Sequence, residues 1–296
     1  MWVASKGEAH LLRSGLGRLA YCIYKLPLMD DLSSILFDST RRLLSDLAEE
    51  FPPGHALSAE DKASAWRRVE EMGLPFAMVP DDMGGFGLQQ ADAFELVRIC
   101  GSEIVPLPLV QTMLAHRFAA EVGKEPDGQM TERLGDLSDD QLAVAALARA
   151  VQMTGALETI LGMTVRHVQE RQQFGRPLSN FQAVQHLLAV LAGEVAASRA
   201  ASDHAVACFD RTDCTCNIAV AVARARIGEA ASKGSSIAHQ LHGAIGFAQE
   251  HKLQVYTRAL WKWRDDFGTQ AYWTRKVGEQ VLAPGADDLW NMVTAA

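Results

Sequence analysis

The chain has 296 residues, 48% of them hydrophobic and 22% charged, with a formal net charge of −8. That length can bury a large core and hold one to three domains, and the composition is that of a globular protein rather than a disordered or fibrous one. The acidic balance argues against nucleic acid or an anionic membrane as the main partner.

The five cysteines are an odd number in a long chain. They describe no disulfide framework and imply a reduced, cytoplasmic setting. Cys214 and Cys216 form a CxC without a second pair, which gives zinc little support. Residues 1–28 mix scattered basic residues with a short apolar patch and hold no run long enough to span a membrane. They read as a poorly ordered or non-native extension. Residues 29–123 read as an N-terminal helical domain. Leu32, Ile35, Leu36, Leu43, Leu44 and Leu47 line one helical face, and Phe51-Pro52-Pro53-Gly54 ends it. Ser58 opens a second helix over 59–72, closed by Gly73. Residues 76–80 read as a short extended run into a glycine-bearing loop, Asp81-Asp82-Met83-Gly84-Gly85-Phe86-Gly87. Helices over 89–100 and 108–122 follow. Residues 124–138 are polar and show no period-two alternation, so they read as a linker.

Residues 139–283 read as a C-terminal four-helix bundle, followed by a tail at 284–296. Ser138 and Gln141 spell a capping box. The helix they open is expected to run to Gln173, with Leu142, Ala145, Ala146, Ala150, Met153, Ala156, Leu157, Leu161 and Val165 as its apolar stripe. At its end Gly175 suits the C′ position and Pro177 forbids continuation, while Ser179 and Gln182 spell a second capping box. Arg171 and several amide side chains thus meet at a helix-to-helix junction. A guanidinium fork beside amides suits a phosphate or pyrophosphate; the plain alternative is a helical hairpin with a solvated arginine. The next helix, from 182 to about 210, is rich in alanine (Ala189, Ala192, Ala196, Ala197, Ala200, Ala201), which permits close packing. A third spans 217–242 with Gly243 as its C′ residue, and two more lie near 252–264 and 269–281. Small residues on successive long helices describe an antiparallel bundle, and the fold class is all-α.

Glu170-Arg171-Gln172-Gln173-Phe174-Gly175-Arg176-Pro177-Leu178-Ser179-Asn180-Phe181-Gln182-Ala183-Val184-Gln185 resembles the flavin-contacting RxxFGxPxxxFQxxQ segment of the acyl-CoA dehydrogenase family. Gln240-Leu241-His242-Gly243-Ala244-Ile245-Gly246-Phe247 resembles that family's Q-x-x-GG-x-GF/Y motif, with Ala244 in place of the second glycine. The 80–87 loop is similar to a glycine loop near the family's acyl-binding region. The resemblance covers the two helical domains and leaves no room for the family's middle β-domain, which normally covers one face of the flavin.

The resemblance implies FAD as cofactor and an acyl-CoA substrate. It also implies a homo-oligomer, or a hetero-oligomer with a homologous subunit, and an electron acceptor such as an electron-transfer flavoprotein. In family dimers the two motifs reach the FAD held by the partner subunit. The residues that carry this over are Arg171, Gln173, Phe174, Gln182, Gln185, Gln240 and Gly243, with Thr269 of the Gly-Thr pair.

The family removes an α-proton with a carboxylate while the β-hydride passes to flavin, and its usual glutamate immediately precedes that Gly-Thr pair. Here Phe267 precedes Gly268-Thr269. The family's second base location falls near 144–147 and holds no acid; the arginine expected there to contact CoA is also absent, although Arg149 lies one turn further on. Asp265 and Asp266 are the nearest acids, and Asp266 is the candidate base. Two function classes follow: an FAD-dependent acyl-CoA dehydrogenase-like oxidoreductase, and a catalytically silent family member that completes a partner's FAD site. The histidines at 167, 186, 242 and 251 read as scattered single residues with surface or capping roles.

Overall fold

The computed structural model describes residues 29–52, 57–209 and 216–283; the expected extension 1–28, the tail 284–296 and Cys214 lie outside them, as does the side chain of Cys216. Met1–Thr40 and Arg41–Ala296 form two compact units. Helix α1 is Met29–Glu50. Its Leu44 and Leu47 are buried in the second unit.

Within that second unit, α2 (Ala59–Glu71) is capped by Ser58, whose Oγ accepts from the Asp61 backbone N–H at 3.0 Å. The expected extended run over 76–80 is instead a 3-10 turn, Leu74–Phe76, followed by further turns. Pro75 presets the dihedral of that turn, and the His116 Nδ1–H donates to the Pro75 carbonyl at 3.0 Å. Helices α3 (Gln90–Ser102) and α4 (Leu109–Glu121) follow. Residues 124–138 contain neither helix nor strand, and the residues on both sides of them lie in the same compact unit.

The bundle is built on α5 (Asp139–Glu170), which packs against α6 (Gln182–Phe209) and α7 (Cys216–His242). Helix α8 (Leu253–Trp263) lies on α5 and α7, and α9 (Gln270–Leu282) lies on α7. The Ser138–Gln141 capping box forms as expected, with both of its hydrogen bonds at 3.2 Å. Residues 143–157 of α5 are buried all round, the signature of a central helix. By length and composition α5 could cross a membrane, but its apolar window is 83% buried in the fold, as for a core helix.

Helices α3 and α5 cross at two glycines. A Cβ on Gly101 would meet the Gln152 carbonyl oxygen at 1.8 Å, and one on Gly155 would meet the Arg98 carbonyl oxygen at 2.1 Å. The two backbones therefore touch directly, fixing α3 on the bundle.

Three local expectations differ. The first bundle helix ends at Glu170 rather than Gln173, because Arg171 turns to an extended conformation. Gln172–Gln173 then pair antiparallel with Arg176–Pro177 as β1 and β2, the only strands among the described residues. Second, Gly175 (φ +76) is not a helix C′ residue. With Phe174 (φ +53) it forms the two-residue turn of this hairpin, in the positive-φ geometry that tight hairpins require. Third, Ser179 cannot cap α6, since it lies in a 3-10 turn (Leu178–Asn180) and the helix starts three residues later. Ser179 instead offers its carbonyl to Gln185 Nε2 at 2.9 Å.

The alanines of α6 also differ from expectation. Its buried face is Leu191, Glu194, Val195, Ser198, Ser202, Ala205 and Val206, whereas Ala189, Ala192, Ala196 and Ala200 are exposed.

Candidate functional site

The structure sorts the expected site residues into two groups at opposite ends of α5. Arg171, Gln173 and Phe174 lie on the hairpin after α5, and Gln240 and Gly243 lie at the end of α7. His167 and His242 stack at 4.4 Å, so the ends of α5 and α7 are neighbours. Asp266 and Thr269 lie in the turn between α8 and α9, beside Arg149 near the start of α5. The 22 positions between Arg149 and Arg171 correspond to roughly 30 Å of helix. One chain therefore does not bring the two groups together.

At the hairpin end, Arg171, Gln173, Phe174, Gln182, Gln185, Gln240 and Gly243 are all exposed. Phe174 is 89% exposed, unusual for a phenylalanine, with its ring edge toward Phe181 at 6.1 Å. The Arg171 guanidinium has no hydrogen bond or ion pair among the described residues, while its backbone is fixed by bonds to His167 and from Leu178. Gly243 (φ +65) ends α7 as expected, and nothing lies within 4 Å of where its Cβ would be. A flat ligand could approach its backbone closely.

The histidines at this end are not scattered. His167 stacks on His242, and His242 meets His251 edge-on at 5.0 Å. His239 stacks on the exposed Phe247 at 4.2 Å and shares a 2.9 Å hydrogen bond with Thr257 Oγ1. Burial pushes His242 down to about 4, against a smaller opposing effect of its bond to the Ala238 carbonyl. Burial also lowers His167, His239 and His251. The Nδ1 of His239 and Nε2 of His242 are buried without a partner. Among the described residues no group of three or more His, Cys, Asp or Glu side chains is arranged to hold a metal.

At the other end, Asp266 Oδ2 faces Arg149 Nη2 at 3.0 Å. Arg149 is 1% exposed and lies in the all-buried stretch of α5. Its guanidinium sits 5.4 Å from the ring centroids of both Trp263 and Phe267, and also donates to Gln152 Oε1. Its Nε–H is buried without a partner, a cost of about 1–3 kcal/mol. Burial lowers Arg149 to about 10, with the Asp266 charge acting the other way, so it stays protonated at neutral pH.

A second buried arginine holds the turn itself. Arg224 Nη2 donates to the carbonyls of Arg264 (3.0 Å), Asp266 (2.8 Å) and Gly268 (3.0 Å). Burial, then the neighbouring Arg149 charge, lowers it to about 10. Phe267 has φ +58, a conformation few bulky residues adopt, and its carbonyl accepts from Trp273 Nε1 at 3.0 Å. Thr269 is exposed and spends its Oγ1 as the N-cap of α9, accepting from the Tyr272 N–H at 3.2 Å. The sequence reading assigned roles to neither Arg149 nor Arg224. The signal was present for Arg149, a lone arginine in an alanine-rich helical stretch, where a charge must be paired to be buried; Arg224 has Arg226 two positions on, and the sequence does not say which of the two is buried.

A family model described as "Acyl-CoA dehydrogenase, C-terminal domain" matches residues 136–280. "Acyl-CoA dehydrogenase IpdE2" of Mycolicibacterium smegmatis is 31% identical over 252 aligned residues, covering 64% of this chain and 79% of that protein. The chain belongs to the acyl-CoA dehydrogenase family. Two solved structures share the acyl-CoA dehydrogenase fold with it. One is described as "Tcur3481-Tcur3483 steroid ACAD G363A variant" (TM-score 0.73, 19% identity, 86% of this chain and 98% of that one). The other is the "ChsE4-ChsE5 complex from Mycobacterium tuberculosis" (TM-score 0.73, 15% identity, 85% and 97%).

For an acyl-CoA dehydrogenase, the hairpin end fits FAD in its chemistry. It presents an unpaired guanidinium, exposed amides and an open glycine backbone. Arg171 would meet the pyrophosphate, Gln173, Gln182, Gln185 and Gln240 the polar edges, and Phe174 and Gly243 would flank the cofactor.

Proposed function

We propose that this protein is an FAD-dependent acyl-CoA dehydrogenase, catalysing α,β-dehydrogenation of an acyl-CoA thioester with Asp266 as the base. The observation that carries this is the ordered Asp266 carboxylate, fixed by Arg149 and by the Arg224-held turn next to the family's usual base position. FAD, when bound, accepts the β-hydrogen as hydride.

The chain's own residues divide the remaining work. Asp266 takes the α-proton on its carboxylate, and that proton comes at the expense of the ion pair with Arg149. Trp263 and Phe267 shield Arg149 from water, so the ion pair is stronger than an exposed one. Phe267 occupies the place of the family's glutamate and contributes no proton chemistry.

The separation of the two residue groups supports an oligomer in which the hairpin of one subunit serves the site of another. The exposed alanine face of α6 and the exposed Phe174, Ile245 and Phe247 offer apolar surface for that contact. A homo-oligomer and a pairing with a homologous subunit are both consistent with it, and the similar structure described as the ChsE4-ChsE5 complex is itself a complex of two named proteins. The reading includes an electron-transfer flavoprotein as acceptor. The buried thiols of Cys100 and Cys208 suit a reducing cytoplasm.

The test is the flavin spectrum and sedimentation of the purified protein, alone and mixed with a homologous subunit. FAD held by an oligomer in either sample supports the reading. A strict monomer without flavin in both rejects it.

A further inference from the structure

A cavity of about 390 Å³ lies against Arg149, between the 104–110 segment, the end of α8 and residues 132–133. Its volume is within the range of small-molecule pockets, roughly 300–1,000 Å³. Its charged lining is Lys62, Arg133, Arg149 and Lys262 against the single acid Glu132. That is a local excess of cations in a chain whose net charge is −8.

The internal pairs do not cancel it. Lys62 is bound to Glu132, and Arg149 to Asp266 behind the wall. Arg133 and Lys262 have no ion pair among the described residues, and both are exposed. Arg149 is buried, with its Nε–H unpartnered. The cavity lining therefore holds two exposed cations without an ion pair, Arg133 and Lys262, together with the buried Arg149. The rest of the wall is largely apolar: residues 104–110 supply isoleucine, valine, proline and leucine side chains, and Trp263 adds an aromatic ring.

We propose that this cavity is a subsite for a carboxylate carried on the acyl portion of the substrate, so that the preferred thioesters are acid-terminated rather than simple alkyl acyl-CoAs. The proposal rests on the acyl-CoA dehydrogenase reading for the thioester but not for the cavity. A carboxylate on a short apolar stem matches both halves of the lining: the stem lies along 104–110 and Trp263, and the oxygens meet Arg133 and Lys262, with the Arg149 charge in the wall. A phosphate of CoA is the other anion that could reach the mouth. It matches the cations but not the apolar wall.

The experiment is calorimetric titration of the full-length protein as purified, with probes that differ only in the terminal group. Adipyl-CoA should bind at least about tenfold tighter than hexanoyl-CoA, which has the same carbon count and no carboxylate; tenfold corresponds to about 1.4 kcal/mol. Arg133→Gln combined with Lys262→Gln should remove that preference while changing hexanoyl-CoA affinity by less than about twofold. These two side chains are exposed, so the variant should fold even if an Arg149 substitution does not.

Equal affinity for the two thioesters in the wild type overturns the proposal. So does a double variant that weakens both thioesters equally, since the anion recognised would then be a CoA phosphate. A second pair, 4-phenylbutyrate and 4-phenylbutanol, tests the cavity without CoA. If neither thioester binds, the dehydrogenase reading fails, yet preference for the acid in the wild type and its loss in the double variant still supports the carboxylate site. No preference for the acid overturns it.

Discussion

Replacing Arg224 with methionine should unfasten the turn that carries the candidate base. The side chain is 3% exposed, and its Nη2 serves three carbonyls, of Arg264, Asp266 and Gly268, at 2.8–3.0 Å. Hydrogen bonds from a charged donor each contribute about 1.5–3 kcal/mol, so their combined loss is about 4.5–9 kcal/mol. Against this, methionine removes a buried charge whose depression from 12.5 to about 10 corresponds to about 3 kcal/mol. Methionine is close to arginine in length and keeps most of the packing. The net destabilisation should be about 1.5–6 kcal/mol, read from urea unfolding. Hydrogen exchange should show the matching local effect, with amides of residues 264–268 losing protection before those of α5. A stability change under about 1 kcal/mol with unaltered exchange at 264–268 would refute the claim that Arg224 organises the turn.

Gly155→Ala should destabilise by about 1–3 kcal/mol or more, because its methyl would sit 2.1 Å from the Arg98 carbonyl oxygen and force α3 from α5; thermal melts check it. Ser138→Ala, which breaks the capping box of α5, should cost about 0.5–2 kcal/mol in the same assay. Arg171→Ala should weaken FAD affinity by about 1.5–3 kcal/mol in a fluorescence titration while leaving the unfolding midpoint of the apoprotein in place. His242 is lowered from 6.5 to about 4 in the fold, so below pH 6.5 the unfolded chain takes up a proton that the folded one resists. Stability should therefore fall as pH drops from about 6.5 to about 4 and flatten below that. His242→Gln should show a shallower fall over the same window, and an unchanged slope would contradict the assignment.

Much of the fold was legible because helix ends are written in short-range chemistry. Ser58, Ser138 and Gly243 mark ends that the structure places within a residue of expectation. The hairpin at 172–177 was not legible, since glycine at 175 serves a helix stop and a two-residue turn equally well. Only the pairing of Gln172 with Pro177 and Gln173 with Arg176 decides between them. The alanines of α6 misled in another way: a small residue permits close packing on either face, and here several of them face outward. The site was half legible. Arg171, Gln240 and their neighbours carry a motif, and Asp266 was reachable by its adjacency to the Gly-Thr pair. Its partner Arg149 lies well over a hundred positions away, and the histidine cluster joins residues from two helices and a turn. Both depend on the register between α5, α7 and α8, which no local pattern encodes.

The central claim is that Asp266 acts as the base of an acyl-CoA dehydrogenase, and anaerobic titration of the FAD-loaded protein with acyl-CoA thioesters tests it most directly. Wild-type protein should lose its flavin absorbance on mixing. Asp266→Asn should hold FAD with nearly unchanged affinity and fail to bleach, because the amide keeps the shape of the carboxylate but cannot accept the α-proton. Wild-type protein that binds FAD and never bleaches, with alkyl or acid-terminated thioesters, would contradict the claim. So would an Asp266→Asn variant that bleaches as fast as the wild type.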